Sequence, residues 1–296
     1  MNRRRRFSDY DEETTARCER VLLTLLGELG PWRERIFLAG GLAPRYLVGE
    51  VPEGARPHVG TTDIDLIIGL ALGDDTPDTY RTLQNNLEKA GFEQREPSFQ
   101  WARVVDGAVV LVEFLCETDR VASGKIFRPT GESTGSKLGA FNVQGAQLAC
   151  DDFVEREIEG ERLDGGGRSR VILRVANVLP YAVLKILAFQ DRHENKDAYD
   201  LVFILLNLKD GPRSAGRAAA LSAVAQHPTA VEALGLLEAR FRETGYDGPR
   251  AYAAFLATSD NEEEKARLAR EAVAIVREFL RGFHETNERG GARVII

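Results

Sequence analysis

The stretch GTTDIDLII, residues 60–68, frames the reading of the whole chain. Asp63 and Asp65 stand two residues apart in an apolar run. On a strand they point to one face, while Ile64, Leu66 and Ile68 point to the other. Two like charges on one face repel, and burying them without a counter-charge is costly. Either that face meets water or it holds a cation. Oxygen-only ligands favour Mg²⁺, which keeps several waters and shares its other positions with substrate phosphates.

Upstream, AGGLAPRYL (residues 39–47) follows a short apolar strand from Ile36 to Ala39 that breaks at Gly40 and Gly41; Leu42 to Val48 then reads as a helix. A Gly-Gly step lets a backbone approach a ligand closely, and a helix start offers N–H groups to a phosphate. Taken alone, the same letters read equally well as a tight turn. Downstream, FQWARVV and AVVLVEFL flank Asp106-Gly107, a strong hairpin signal. Glu113 interrupts the second of these runs, where an isolated charge needs a reason. If that strand lies beside the Asp63 strand, Glu113 reaches the same face and a set of three carboxylates is complete.

The remaining elements follow from periodicity and punctuation. Val21, Leu22, Leu25, Leu26 and Leu29 fall at helical spacing in a helix from Glu12 that Gly30 and Pro31 end. Thr76 and Pro77 open a second helix that stops at Gly91. Residues 118–145 are polar and glycine-rich and resist assignment: a loop over the site or a partner surface are both open. REIEGERLDGGGRSRVILRV reads as two strands around a turn, and its triple glycine precedes a strand, so it is no phosphate loop. From Pro180 the pattern is helical, with further starts at Lys196, Pro228 with Thr229, Pro249, and Ser259 with Glu262 as a capping box. The expected class is α+β: a mixed sheet with flanking helices over residues 1–178, then an all-helical half over 179–296.

The chain has 296 residues, 43% hydrophobic and 29% charged, with 39 Lys and Arg against 46 Asp and Glu, a net charge of -7. A molecule of that balance meets a phosphate-rich partner only through a local basic patch, for which Lys125, Arg128, Lys137, Arg168 and Arg170 are candidates. Cys18, Cys116 and Cys150 are widely spaced, without metal-ligand pattern, which suits a reducing compartment and a cytoplasmic protein. The basic run Arg3 to Arg6 leads into no apolar stretch, so neither export nor a membrane partner is expected, and the run reads as a solvated end. His58, His193, His227 and His284 are scattered and read as surface or loop residues.

GGLA, then TTDIDL, then a lone acid on a later strand resembles the signature of the nucleotidyltransferase superfamily. VLPYAVLKILAFQDRHENKDAYDLVFIL is similar to the second signature of the AbiEii/AbiGii toxin group, the toxins of type IV toxin-antitoxin systems. The likeness spans roughly residues 36–208 and implies a nucleotidyltransferase-like fold. It also implies an enzyme that moves a nucleoside monophosphate from an NTP to an acceptor with Mg²⁺. Asp63, Asp65 and Glu113 would be the metal ligands and catalytic acids, joined by Lys185 and Asp197. Gly40, Gly41, Thr61, Thr62, Lys185, Arg192 and Asp200 would bind the nucleotide. The implied acceptor is the tRNA 3′ end, with a protein or small-molecule hydroxyl as alternatives, and the implied partner is a cognate antitoxin within a toxin-antitoxin or phage-defence pair.

Two departures stand out. The loop from Gly41 to Asp63 is long, so the arginine that usually precedes the Thr-x-Asp is displaced to Arg56 or replaced by His58. Glu113 stands where many relatives carry Asp. From the residues themselves, Lys185 and Arg192 lie on one side of a helix where both can meet a triphosphate, with Asp197 and Asp200 sharing a face of the next helix. An ion-pair cluster tying two helices together would show the same letters. The rival to the enzyme is a nucleotide-binding module without catalysis.

Overall fold

The computed structural model describes residues 6–51, 54–69, 77–128 and 138–291. Thr76, Lys137 and Arg3 to Arg5 lie outside them. In chain order, α1 is Glu12–Glu28, β1 Ile36–Leu38, α2 Ala43–Val48, β2 Asp63–Ile68 and α3 Pro77–Lys89. Then come β3 Glu93–Gln94, β4 Gln100–Val105, β5 Ala108–Cys116, β6 Ile126–Phe127, β7 Ala140–Asn142, α4 Ala146–Asp151, β8 Phe153–Glu161 and β9 Arg168–Ala176. The helices α5 Val178–Arg192, α6 Asn195–Asn207, α7 Gly211–Ala220, α8 Pro228–Arg240, α9 Asp247–Leu256 and α10 Glu262–Gly291 complete the order. The expected class is the observed one: a mixed sheet with flanking helices, then a helical C-terminal half.

The chain forms two compact units, Asp11–Ala43 with Gly60–Ala176, and Met1–Tyr10 with Pro44–Val59 and Asn177–Ile296. Sequence reading sets a single boundary near residue 178. The sheet unit does end at Ala176, but two N-terminal segments group with the helices because their aromatic and polar side chains are bound there. Phe7 packs edge-on against Tyr199 and Phe255 at 6.1 and 6.3 Å, and His58 bonds Asp200.

In the sheet unit the strands run β3-β4-β5-β2-β1-β9-β8, with β7 joined to the end of β5 and β6 to β7. β2 is parallel to β5 and antiparallel to β1, while β1 is parallel to β9. The β4–β5 hairpin turns at Asp106 (φ 50°) and Gly107 (φ 77°), the left-handed pair that a two-residue turn between twisted strands requires. β6 and β7 supply part of the order that residues 118–145 hid from sequence reading; 129–137 lie outside the described residues. Helix α1 starts where Asp11 accepts a bond from Thr14 N at 2.7 Å, and its apolar stripe packs on β2, β5, β8 and β9. Ile64, Leu66, Val112, Phe114 and Trp101 form the buried layer.

In the helical unit α6 is buried nearly all round and is the core helix. The cap of α10 differs from the expected Ser259 box. Asn261 accepts from Glu263 N (2.9 Å) and Glu264 N (3.4 Å), because the helix begins one residue later, at Glu262. Among the described residues no helix is long and apolar enough to cross a membrane.

α7 and α10 approach so closely that a Cβ at Gly216 would collide with the carbonyl of Phe279, and one at Gly282 with that of Arg213. Helix propensity alone favours Gly→Ala by ~1 kcal/mol. Here overpacking wins: Gly216→Ala is expected to destabilise by about 1–3 kcal/mol in urea denaturation, and a stabilised variant would contradict the close packing.

Candidate active site

β2 alternates as its sequence dictates: Ile64 and Leu66 are fully buried and Asp63 and Asp65 half-buried. The parallel register pairs Asp63 with Leu111 and Asp65 with Glu113. Residues opposite each other in register share a face, so Glu113 stands beside Asp65 on the adjoining strand, about 4.8 Å away in the hydrogen-bonding direction. The three carboxylates therefore occupy one face of the sheet.

Each is steered by a neighbour. Thr61 Oγ1 donates to Asp63 Oδ1 at 2.7 Å, and Thr61 is itself fixed by its N–H donating to Thr15 Oγ1 at 3.2 Å. Gln100, across from Glu113 on β4, donates Nε2 to Glu113 Oε1 at 2.7 Å. Asp65 lies against the turn after β1. Gly40 has φ 63°, and a Cβ there would collide with the Asp65 carboxylate. The position requires glycine twice, for its backbone angle and for its bareness. Gly41 follows in the same 3₁₀ turn and is buried. Thr62, half-buried, sits between Thr61 and the strand.

Sequence reading assembles this face correctly but misses Thr15 and Gln100, which act on it from other elements. Gln100 had a visible signal, a polar residue at the head of an apolar hairpin strand. Among the described residues no three His, Cys, Asp or Glu side chains are grouped tightly enough to hold a metal ion by themselves. A hard cation needs less: Mg²⁺ is bound by one or two carboxylates, with waters and substrate phosphate filling the rest. Asp63 and Asp65, oxygen donors on one face beside a bare glycine turn, fit that requirement.

The second constellation belongs to the helical unit. Lys185 Nζ lies 2.7 Å from Asp200 Oδ2 and 3.4 Å from Asp197 Oδ1. Arg192 grips Asp197 with two bonds of 2.7 Å, Nε to Oδ2 and Nη2 to Oδ1. Lys196 donates to both oxygens of Asp200 at 2.9 Å, and His58 Nε2 donates to Oδ1 at 2.9 Å. Asp197 and Asp200 are buried at 1% and 0% exposure, and cations already surround them. Of the two readings open in the sequence, this geometry builds the ion-pair cluster. Burial works against charge on Lys185, but Asp200 and Asp197 outweigh it and hold its pKa above the ordinary lysine value. Burial likewise opposes charge on Asp200, and Lys185, Lys196 and His58 overcome it, leaving its pKa well below the carboxylate range.

His58 corrects the expectation of a surface residue. It is 5% exposed, stacked on Tyr199 with ring centroids 5.3 Å apart, and Tyr199 Oη accepts from Val59 N at 3.0 Å. No local letters announce this; only Lys196, four residues before Asp200 on α6, was visible as a helical pair. His227 caps α8 by accepting from Thr229 N, His193 ends α5, and His284 lies on α10. Cys18, Cys116 and Cys150 are free thiols, each pushed up to about 12, mainly by burial.

The basic candidates do not form one patch. Arg168 and Arg170 are matched by Glu159 at 2.6 and 2.9 Å, with Glu157 3.6 Å from Arg170, in a cross-strand ladder of β8 and β9. Sequence reading saw the arginines but not the register that faces them with acids. Lys125 and Arg128 are exposed; Lys137 lies outside the described residues.

No family model matches the chain, and no curated protein does. Among solved structures, one similar to it is the crystal structure of an antigenic nucleotidyltransferase-like protein from Paracoccidioides brasiliensis. That likeness has 19% identity and a TM-score of 0.41 over 86% of this chain and 99% of the other, too distant to place the chain in a family.

Burial lowers the His58 pKa to about 4 from 6.5, against the opposing pull of Asp200. The imidazole stays neutral at pH 7 while its unfolded counterpart gains a proton below 6.5. Stability from this group is therefore complete above pH 6.5 and lost as pH falls through 4, up to about 3 kcal/mol. Urea unfolding at pH 7, 5.5 and 4.5 is expected to show a steeper loss in the wild type than in His58→Gln, which keeps an N–H donor but does not titrate. Equal slopes would contradict the buried neutral histidine.

Proposed function

We propose that the carboxylate face performs nucleotidyl transfer. The observation that carries this reading is the register that sets Glu113 beside Asp65, with Asp63 on the same face and the Gly40 turn against Asp65. A hydroxyl of the acceptor attacks the α-phosphorus of an NTP; a new O–P bond forms, the bond to the bridging oxygen breaks, and pyrophosphate leaves. Such a reaction calls for positioning and charge neutralisation rather than an unusual side chain.

Asp63 and Asp65 would hold Mg²⁺, which when bound supplies Lewis-acid neutralisation of the triphosphate. Glu113, aimed by Gln100, receives the proton of the attacking hydroxyl or completes a second cation position. The bare backbone at Gly40 and Gly41 leaves room for a phosphate beside Asp65. Thr61 keeps Asp63 in place, and Thr62 lines the entry to the strand. The acceptor we propose is the tRNA 3′ end, and the setting a toxin held in check by an antitoxin protein; both rest on the resemblance of the sequence motifs. The ladder that pairs Arg168 and Arg170 with acids argues that an RNA acceptor is met elsewhere on the surface.

The test is transfer of label from α-³²P NTPs to total tRNA, with Asp63→Asn, Asp65→Asn and Gln100→Leu alongside the wild type. Either aspartate variant is expected to lose roughly a thousandfold or more in rate, and Gln100→Leu about tenfold, since it orients a carboxylate without touching substrate. Nucleotide binding with no label in RNA, protein or small-molecule acceptor from any NTP would instead establish the non-catalytic module.

A further inference from the structure

The helical unit contains a cleft of about 1200 Å³ bounded by the α5–α6 junction, α9 and α10. Its charges do not cancel. Of its two acids, Asp247 is paired with Arg240, and Glu262 with Lys265 at 3.0 Å. Arg250 of α9 and Arg270 of α10 are exposed on its walls, and neither has an ion-pair partner among the described residues. Two uncompensated guanidinium groups thus face a space floored by the small side chains of Ala251 and Ala269 beside the ring of Phe189.

At the head of the cleft stands Asn195, the first residue of the 13-residue helix α6. It is only 8% exposed, and its carboxamide has no hydrogen-bond partner among the described residues. Leaving a buried amide unpaired costs about 1–3 kcal/mol, which a ligand bonded to it recovers. The first-turn N–H groups of α6 lie beyond the helix's own acceptors, and Asp197 in that turn is neutralised by Arg192 and Lys185. The whole rim is electropositive with one unpaired neutral donor in its floor.

We propose that this cleft is a binding site for a small organic phosphate. Arg250 and Arg270 hold the phosphate, Asn195 bonds the polar groups of its body, and the alanines and Phe189 pack its carbon framework. The volume lies above the roughly 300–1000 Å³ of typical small-ligand sites, enough for a sugar phosphate or nucleotide with its waters.

The test uses the full chain carrying Asp63→Asn and Asp65→Asn, so that the carboxylate face does not contribute. Calorimetric titration with ribose 5-phosphate and AMP is expected to show saturable binding, weaker with inorganic phosphate and weaker by about tenfold or more with adenosine. Adding Arg250→Ala with Arg270→Ala is expected to weaken both organic phosphates by about tenfold or more, and Asn195→Asp, equal in size but negative, to do the same. The arginines are exposed, so their removal leaves the fold intact and decides the matter even where Asn195→Asp does not fold. No binding of either organic phosphate, equal binding after loss of the arginines, or adenosine binding as tightly as AMP would each overturn the proposal. Any of these leaves transfer at the carboxylate face unaffected.

Discussion

The parallel register of β2 on β5 is the constraint on which the carboxylate face depends. A strand alternates its side chains, so a slip of one residue would send Glu113 to the buried layer and bring Phe114 beside Asp65. Burial fixes the register: Ile64, Leu66, Val112 and Phe114 are all fully buried on the opposite face. The apolar half of each strand thereby sets the position of its acidic half. Three carboxylates then share a surface where mutual repulsion favours a bound cation, and where Thr61 and Gln100 fix the directions of two of them.

The helical unit solves a different electrostatic problem. Two carboxylates are buried on α6, and removing either cation from such a cluster typically costs about 3–5 kcal/mol, because a charge is left uncompensated. Lys185, Lys196, Arg192 and His58 share that burden. His58 comes from a segment far away in sequence, so the cluster anchors Pro44–Val59 among the helices. The same residues that resemble a family signature thus have a structural use of their own. Their geometry alone ties α5 to α6.

Much of this was legible in the letters. The period of two in DIDLII, the Asp-Gly hairpin and the lone Glu113 predict the acidic face, and the helical starts after Pro180 appear close to where they were expected. What stayed hidden depends on contacts distant in sequence. Thr15 and Gln100 act through partners 46 and 13 residues away. His58 is buried by aromatic rings about 140 residues further on, and a histidine in a polar loop carries no local sign of that. Arg168 and Arg170 look like a basic patch until the β8 register places Glu159 and Glu161 opposite them. Residues 118–145 lacked periodicity because their strands, Ile126–Phe127 and Ala140–Asn142, are too short to show any.

Manganese is a spectroscopic stand-in for Mg²⁺ at oxygen-ligand sites, and its electron paramagnetic resonance signal is reduced when the ion is bound. Titrating Mn²⁺ into the protein with a non-hydrolysable NTP should reveal saturable binding that disappears when Asp63 and Asp65 are both changed to Asn. Undiminished binding in that double variant would contradict a cation held between these two carboxylates, and with it the catalytic account of the acidic face.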